Sequence, residues 1–449
     1  MPSFEVTRRV TVATDGIVGI DALEDAALAF ARTAPAKLVA DAVESMIESL
    51  VDAVCGPCGM PIDDDDQISA PWACTGCGSV RGFRRRGSQN RQRSVTSRVG
   101  KIAIAAKMIY CRSCGKRFSP LGQLLGLRAY QRRTDGLSEA AAALAVEVAY
   151  AKASRLLAEV GGVDVSARSI RRDVIALAGD RIGPAAGVVD VPVLLLDGTG
   201  ERAGSSKGGV ALHLAIGVFS RRTEGKRVRC GVELLGATLA EPWTVLFDLI
   251  GDLNPSLIVV DGEEELSTLA AETFPAAPRQ RCLWHLKRGL RKTLLYTDRV
   301  GSAAADRWCA ELDTLLHNAW TERNLDLARE CLDLLADNLE LDGAPSAAHH
   351  LRAAAEEVFT FLTHPDAGQL VCGHKGRPDV GTGVLERVMR EMNRRTDVGV
   401  RWSIHGLRRM LMAKLAHKYH HEPWSPTETT NDPPKVRISL HPPAQRHAA

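Results

Sequence analysis

Two apolar, partly β-branched runs in this chain each end on an aspartate and a glycine. Val191-Pro-Val-Leu-Leu-Leu leads into Asp197-Gly-Thr, and Ser256-Leu-Ile-Val-Val leads into Asp261-Gly. Such runs read as buried strands. They would bring two carboxylates to the ends of neighbouring core strands. Hard divalent cations take rigidly held oxygen ligands, so this is an arrangement for binding metal. A third carboxylate comes much later. Thr382 can cap a helix over 384–395. On it Glu386, Arg390 and Asn393 share one face, and Leu385, Val388, Met389 and Met392 form the other. Phosphodiester chemistry at a two-metal site needs one carboxylate bridging ions about 3.5–4 Å apart and a further ligand for each ion. Asp197 is the natural bridge, with Asp261 and Glu386 each completing one ion. Taken singly, either aspartate reads as well as a strand end or helix cap; the set of three carries the metal reading.

The cysteines suggest a second metal. Six of the eleven lie in three Cys-x-x-Cys pairs, Cys55/Cys58, Cys74/Cys77 and Cys111/Cys114, each followed by a glycine. Zinc takes four such ligands in a tetrahedron, so two pairs suffice. Two pairings compete: Cys55/Cys58 with Cys74/Cys77, or Cys74/Cys77 with Cys111/Cys114. The second is favoured because its longer loop holds the strand-like stretches at 101–104 and 108–110. Cys55/Cys58 would then be an extra or redundant pair. From Ser79 to Gln131 the chain has no Asp or Glu but many Arg and Lys, including Arg84, Arg85 and Arg86. A compact basic block beside a zinc site is the electrostatic footprint of a nucleic-acid contact; the alternative is a solvated charged face.

The elements that would position these groups divide the chain of 449 residues. Residues 1–54 carry a helical segment, and 55–120 form a zinc ribbon. Residues 121–182 are helical. Their last helix is capped by Ser166 and carries Arg168, Arg171 and Arg172, the pattern of a helix-turn-helix. Residues 183–290 hold the two aspartate strands, two strands between them (210–219 and 228–235), helices near 242–253 and from Glu263, and a short fifth strand at 280–285. Residues 291–375 are an all-helical insertion with a stripe of Leu325, Ala328, Leu332, Leu335 and Leu339. Residues 376–422 return to the core with Glu386, and 423–449 are a disordered tail. The fold expected is multidomain α/β: a ribonuclease-H-like core with a helical insertion, preceded by the zinc ribbon and the helix-turn-helix.

At this point the chain resembles the DDE transposases of the Mutator-like superfamily and related prokaryotic insertion-sequence families. Asp197-Gly-Thr, Val-Val-Asp261-Gly, Arg-Cys282-Leu-Trp-His285 and Leu-Glu386-Arg387 carry the resemblance, over roughly residues 74–420. Gly383 departs from it, standing where many relatives have Asn or Ser. The resemblance implies a transposase that binds the terminal inverted repeats of its own element. It would cleave the ends and join the freed 3′-hydroxyls to target DNA with two Mg²⁺ ions, for which Mn²⁺ can substitute; zinc would be structural. The alternatives are a catalytically silent DNA-binding regulator and a nuclease on the same fold. His285 joins the catalytic set, and metal binding, DNA contact and core packing are all open to the Cys282/His285 pair. Arg390, Arg394 and Arg395 join the DNA-binding set, with Trp402 either stacking on a base or buried in the core. Paired element ends imply a homodimer or larger assembly on double-stranded DNA.

Bulk composition agrees with a globular protein: 45% hydrophobic, 25% charged, net charge +3. No apolar run reaches the length of about 20 residues needed to span a membrane, and the N-terminus lacks a secretion-signal core. The expected place is the cytoplasm, in association with the nucleoid.

Overall fold

The computed structural model describes residues 20–57, 60, 62–63, 68–201, 203, 209–222, 228–364, 383–396 and 402–419. Cys58, Thr382 and the expected tail lie outside the described residues.

The N-terminal part is one long helix laid on a hairpin. Helix α1 (Ile20–Cys55) packs across β1 (Phe83–Ser97) and β2 (Gly100–Cys111), with the short β3 (Arg117–Phe118) beside β2 and a single turn, α2 (Leu121–Leu124), after it. Ile47, Val51 and Val54 of the helix meet Phe83, Ile102, Ile104 and Ile109 of the hairpin in a common core. Acidic groups of α1 serve the hairpin as well. Glu44 accepts a hydrogen bond from the Ala105 amide at 2.9 Å, and Glu48 pairs with Lys107 at 2.5 Å.

Helices α3 (Asp135–Glu147), α4 (Tyr150–Glu159) and α5 (Ala167–Leu177) follow. Thr134 caps α3 and Ser166 caps α5, each side chain accepting from the backbone N–H three residues on. These helices do not form a separate unit. Leu137, Ala141, Ala145, Ile170 and Val174 share one apolar core with the central sheet and the last helices of the chain.

That sheet is the organising element. After a two-residue strand β4 (Asp190–Val191), which pairs with β8 (Asn254–Pro255), come β5 (Val193–Glu201), β6 (Val210–Arg222) and β7 (Val228–Leu239), an antiparallel meander. Helix α6 (Trp243–Ile250) crosses back to β9 (Ile258–Val260), and α7 (Glu264–Thr273) leads to β10 (Arg279–Arg281); both strands run parallel to β5. The spatial order is β10-β9-β5-β6-β7. Alternation along β5 separates two cores. Leu194 and Leu196 face α6 and α7, whereas Val193 and Leu195 face the helical side.

Two local expectations are corrected here. The first strand does not end on Asp197; it continues to Glu201, with Asp197 opposite Leu214 in mid-strand. Residues 198–201 carry no apolar alternation, and only pairing with β6 keeps them extended. The Cys-x-x-His segment is not a strand. Cys282 is the N-cap residue of α8 (Leu283–Tyr296), and His285 lies in that helix's first turn. Cys282 is fully buried.

Helices α9 (Ser302–Glu322), α10 (Leu325–Leu341), α11 (Pro345–Val358) and α12 (Thr360–Thr363) build a second core with α8. The expected stripe on α10 is largely inward, with Ala328, Leu332, Leu335 and Leu339 buried. This bundle is tied to the sheet edge at Gln280. Its buried side chain donates to Val358 O at 3.0 Å and accepts from the Phe361 amide at 2.8 Å. The chain returns to the sheet with α13 (Gly383–Thr396), packed on β5, and α14 (Ile404–Tyr419), packed on α3, α5 and β7. No helix among the described residues is long and apolar enough to cross a membrane.

Candidate functional site

Asp197 points from β5 into the side of the sheet covered by α13, and only 1% of it is exposed. Its Oδ1 accepts the amide of Gly198 at 2.8 Å. Glu386 reaches the same place from the first turn of α13, whose Leu385, Val388, Met389 and Met392 are buried. The amphipathic pattern therefore sets the helix rotation: burying one stripe turns Glu386 toward the strand. His285 arrives from the N-terminal turn of α8. One ligand atom from each of Asp197, His285 and Glu386 lies within 4.8 Å of the others, and His285 Nε2 is 3.9 Å from Glu386 Oε1.

Burial lowers the pKa of His285, while the charges of Asp261 and Glu386 pull it upward. The net effect favours the neutral imidazole, the form that ligates metal. Two carboxylates and a neutral imidazole make a donor set for a divalent cation.

Asp261 stands just past the end of β9 and is not one of this group of three. Its Oδ1 accepts the amide of Glu263 at 2.8 Å. It lies close enough to act on His285 through its charge. Burial, then the Asp261 charge, raise the pKa of Glu263, against a hydrogen bond from the Trp243 indole. The acids expected to meet thus divide: Asp197 and Glu386 converge with His285, and Asp261 flanks them. On the opposite face of β5, Trp243 stacks on His213 with ring centroids 3.8 Å apart and planes 9° apart. His213 is the pairing partner of Gly198, beside Asp197. Sequence reading missed it, since a lone histidine in an apolar strand carries no spacing signal.

The second centre is sulfur. Cys74, Cys77, Cys111 and Cys114 form one cluster, with Sγ–Sγ distances of 3.5 Å for Cys74/Cys114 and 3.7 Å for Cys77/Cys111. A tetrahedron of thiolates around zinc has edges of about 3.8 Å, so the four fit that ion. Burial raises the Cys74 thiol, but backbone N–H donation from Cys77 and Gly76 and neighbouring thiols bring it down to about 6. A backbone hydrogen bond at Lys116 lowers Cys114, yet the neighbouring thiols push it up to about 12. Four adjacent sulfurs cannot all carry charge without a cation between them. Gly78 and Gly115 follow the pairs with φ of +75° and +74°, a turn that other residues rarely adopt. Cys55 is not in this cluster. It is buried at the C-terminal end of α1, and burial raises its thiol to about 11.

The basic residues also divide. Arg84, Arg86, Arg168, Arg171, Arg172, Arg390 and Arg394 are exposed, although Arg394 pairs with Glu391. Arg85 does not face outward as expected. It pairs with Glu48 and Asp52 of α1 and donates to Gly56 O. Arg395 and Trp402 are buried too, at 2% and 7% exposure. The Arg395 guanidinium lies against the edge-on pair of Trp402 and Tyr150, 5.0 and 5.5 Å from their centroids, and Nε donates to Ala145 O. Neither can touch DNA from there; they fasten the Glu386 helix to α3.

Comparison with known proteins points to one family. The family model described as "Transposase, Mutator family" matches residues 76–424. A transposase for insertion sequence element IS905 from Lactococcus lactis is 32% identical over 114 residues, 24% of this chain and 28% of that protein's length. The Drosophila P element transposase strand transfer complex is a structural neighbour at 13% identity and a TM-score of 0.36, covering 66% of this chain and 95% of that one.

Proposed function

The chain belongs to the Mutator family of transposases, and on that premise we propose that it binds the ends of an insertion sequence, cleaves them and joins the 3′ ends to target DNA. The observation that carries the reading is the convergence of Asp197, His285 and Glu386, from β5, α8 and α13, with Asp261 beside them. The sheet order, a three-stranded meander continued by two parallel strands, supports a ribonuclease-H-like core. Helices α3–α5, with α3 and α5 capped, support a helix-turn-helix, and exposed Arg168, Arg171 and Arg172 give it a basic face.

Asp197, Glu386 and Asp261 are the ligands proposed for a pair of Mg²⁺ ions, for which Mn²⁺ can substitute. Asp261 has one oxygen held by the Glu263 amide, and its carboxylate would contribute the third ligand. Divalent ions there would supply Lewis-acid activation of the attacking oxygen and charge relief on the leaving one. The protein's part is to hold the carboxylates in place. Asp197 is clamped in a paired strand and Glu386 by a buried helix stripe, so little reorganisation remains when phosphate arrives. In the first step water attacks phosphorus and the 3′-oxygen leaves; in the second that 3′-hydroxyl attacks a target phosphodiester, whose own 3′-oxygen leaves as the new P–O bond forms. Both are in-line displacements, so one site serves both. His285 would complete the ligand set or orient Glu386. The ribbon with Arg84 and Arg86, and helix α5 with Arg168, Arg171 and Arg172, hold double-stranded DNA. Paired ends call for a homodimer or larger assembly.

The test is cleavage of linear DNA carrying the element's ends by the full chain in Mg²⁺, scored for nicks and strand-transfer products. Asp197→Asn should remove both. Cutting by that variant at the parent's rate would overturn the assignment, and cutting without joining would reduce the protein to a nuclease.

A further inference from the structure

Arg281 ends β10, immediately before Cys282, and its position is unusually determined. The buried Gln280 next to it donates to Arg281 O at 2.7 Å, fixing the backbone. The guanidinium lies on Gly262, the residue after Asp261. A Cβ at Gly262 would stand 1.2 Å from Arg281 Nη1 and 1.4 Å from its Cζ. Gly262 also has φ of +89°. This loop therefore needs glycine twice, once for its backbone and once to admit the arginine.

That guanidinium is not consumed by the fold. Among the described residues its nitrogens make no hydrogen bond and no ion pair, and Nε is buried without a partner. Its charge acts on His285, lowering that pKa. Other half-buried arginines are spent on internal links: Arg85 on Glu48 and Asp52, Arg133 on Asp173, and Arg279 on Glu357. A desolvated donor costs free energy unless something pairs with it. A planar fork of donors matches two oxygens of one phosphate. The place, between the Asp261 loop and His285, is where anionic substrate would meet the carboxylates.

We propose that Arg281 is a phosphate-binding residue of this site, gripping a backbone phosphodiester of the DNA strand beside the carboxylates, and that Gly262 is the gap that lets it lie there. The proposal rests on the transposase reading for its ligand, a DNA phosphodiester. Arg281 balances the negative charge that carboxylates and phosphate bring together, and it orients the strand.

The experiment uses the full chain, a fluorescein-labelled duplex carrying one element end, and Ca²⁺ in place of Mg²⁺. Anisotropy is read over a range of salt. Arg281→Gln should weaken binding about tenfold and reduce the slope of log affinity against log salt by about one. Arg281→Lys keeps the charge and the slope but should still bind several-fold more weakly, because it lacks the fork. Gly262→Ala should behave like Arg281→Gln. Thermal melting of each variant separates these effects from misfolding. If Arg281→Gln melts early, Arg281→Lys decides. Parent-like affinity in Arg281→Lys, or in a stable Arg281→Gln with an unchanged slope, overturns the proposal. Mg²⁺-dependent cleavage is measured alongside. A parent chain that binds but never cuts sinks the transposase reading, while the binding series still decides the role of Arg281.

Discussion

His285 Nε2 lies 3.9 Å from Glu386 Oε1, although the whole helical bundle α9–α12 separates them along the chain. The bundle is inserted between the two elements that complete the site, and its docking through Gln280 and Arg279 governs where α8 begins. The imidazole and the carboxylate are therefore positioned by different cores, α8 partly by the insertion and α13 by the sheet. Substrate need not touch the insertion for the insertion to matter.

If that approach serves metal binding, His285→Ala should raise the Mg²⁺ concentration needed for half-maximal cleavage by about 10–100-fold, the usual cost of losing a group that ligates or orients a ligand. DNA affinity in Ca²⁺ should change far less. A metal titration with the parent midpoint would leave His285 as packing against Trp284, whose ring it meets edge-on at 4.7 Å.

Zinc content separates the cysteine pairs. The purified chain should carry one zinc ion. Cys74→Ser and Cys111→Ser should lose it, each removing one ligand of four. Cys55→Ser should keep it, because Cys55 is a buried thiol whose pKa is raised to about 11. Metal analysis of the three variants decides, and loss of zinc from Cys55→Ser would contradict the cluster.

Neighbouring arginines on β1 should behave differently. Arg84→Ala and Arg86→Ala remove exposed charges, so each should weaken DNA binding and lower its salt slope by about one, with little change in melting. Arg85→Ala breaks the links to Glu48 and Asp52 and leaves Glu48 with Lys107 alone. Its main effect should be a loosened α1, seen as faster amide exchange in residues 44–55. A DNA defect in Arg85→Ala without such loosening would restore the outward-facing reading.

His213 gives the fold an acid sensitivity. Burial lowers its pKa from 6.5 to about 4. As pH falls below 6.5 the unfolded chain takes up a proton that the folded chain refuses, so stability is lost between those values and flat above them. The loss is at most roughly 3 kcal/mol at the acid end. His213→Phe keeps a ring against Trp243 and should flatten this part of the profile. Urea unfolding at pH 4.5, 5.5 and 7 measures it, and equal slopes for the two proteins would remove His213 as the cause.

Some features were legible in the residues alone because their signals are local. Spacing and the glycine after each pair marked Cys74/Cys77 and Cys111/Cys114, and the strand-like loop favoured their pairing. An apolar stripe oriented the Glu386 helix, since burying Leu385, Val388, Met389 and Met392 leaves Glu386 one direction. The order of strands and helices around Asp197 and Asp261 was readable from periodicity. What tertiary structure decided was which polar groups meet. Arg85 and Arg395 sit in basic or polar stretches that look solvent-facing, and only Glu48 and Asp52, or Tyr150, Trp402 and Ala145, draw them inward. Asp197 lies in mid-strand because β6 pairs beyond it. His285, and not Asp261, stands within ligand distance of Asp197 and Glu386 because α8 begins directly where β10 ends. A side chain's burial and partner depend on segments distant in the chain, and no local pattern encodes that.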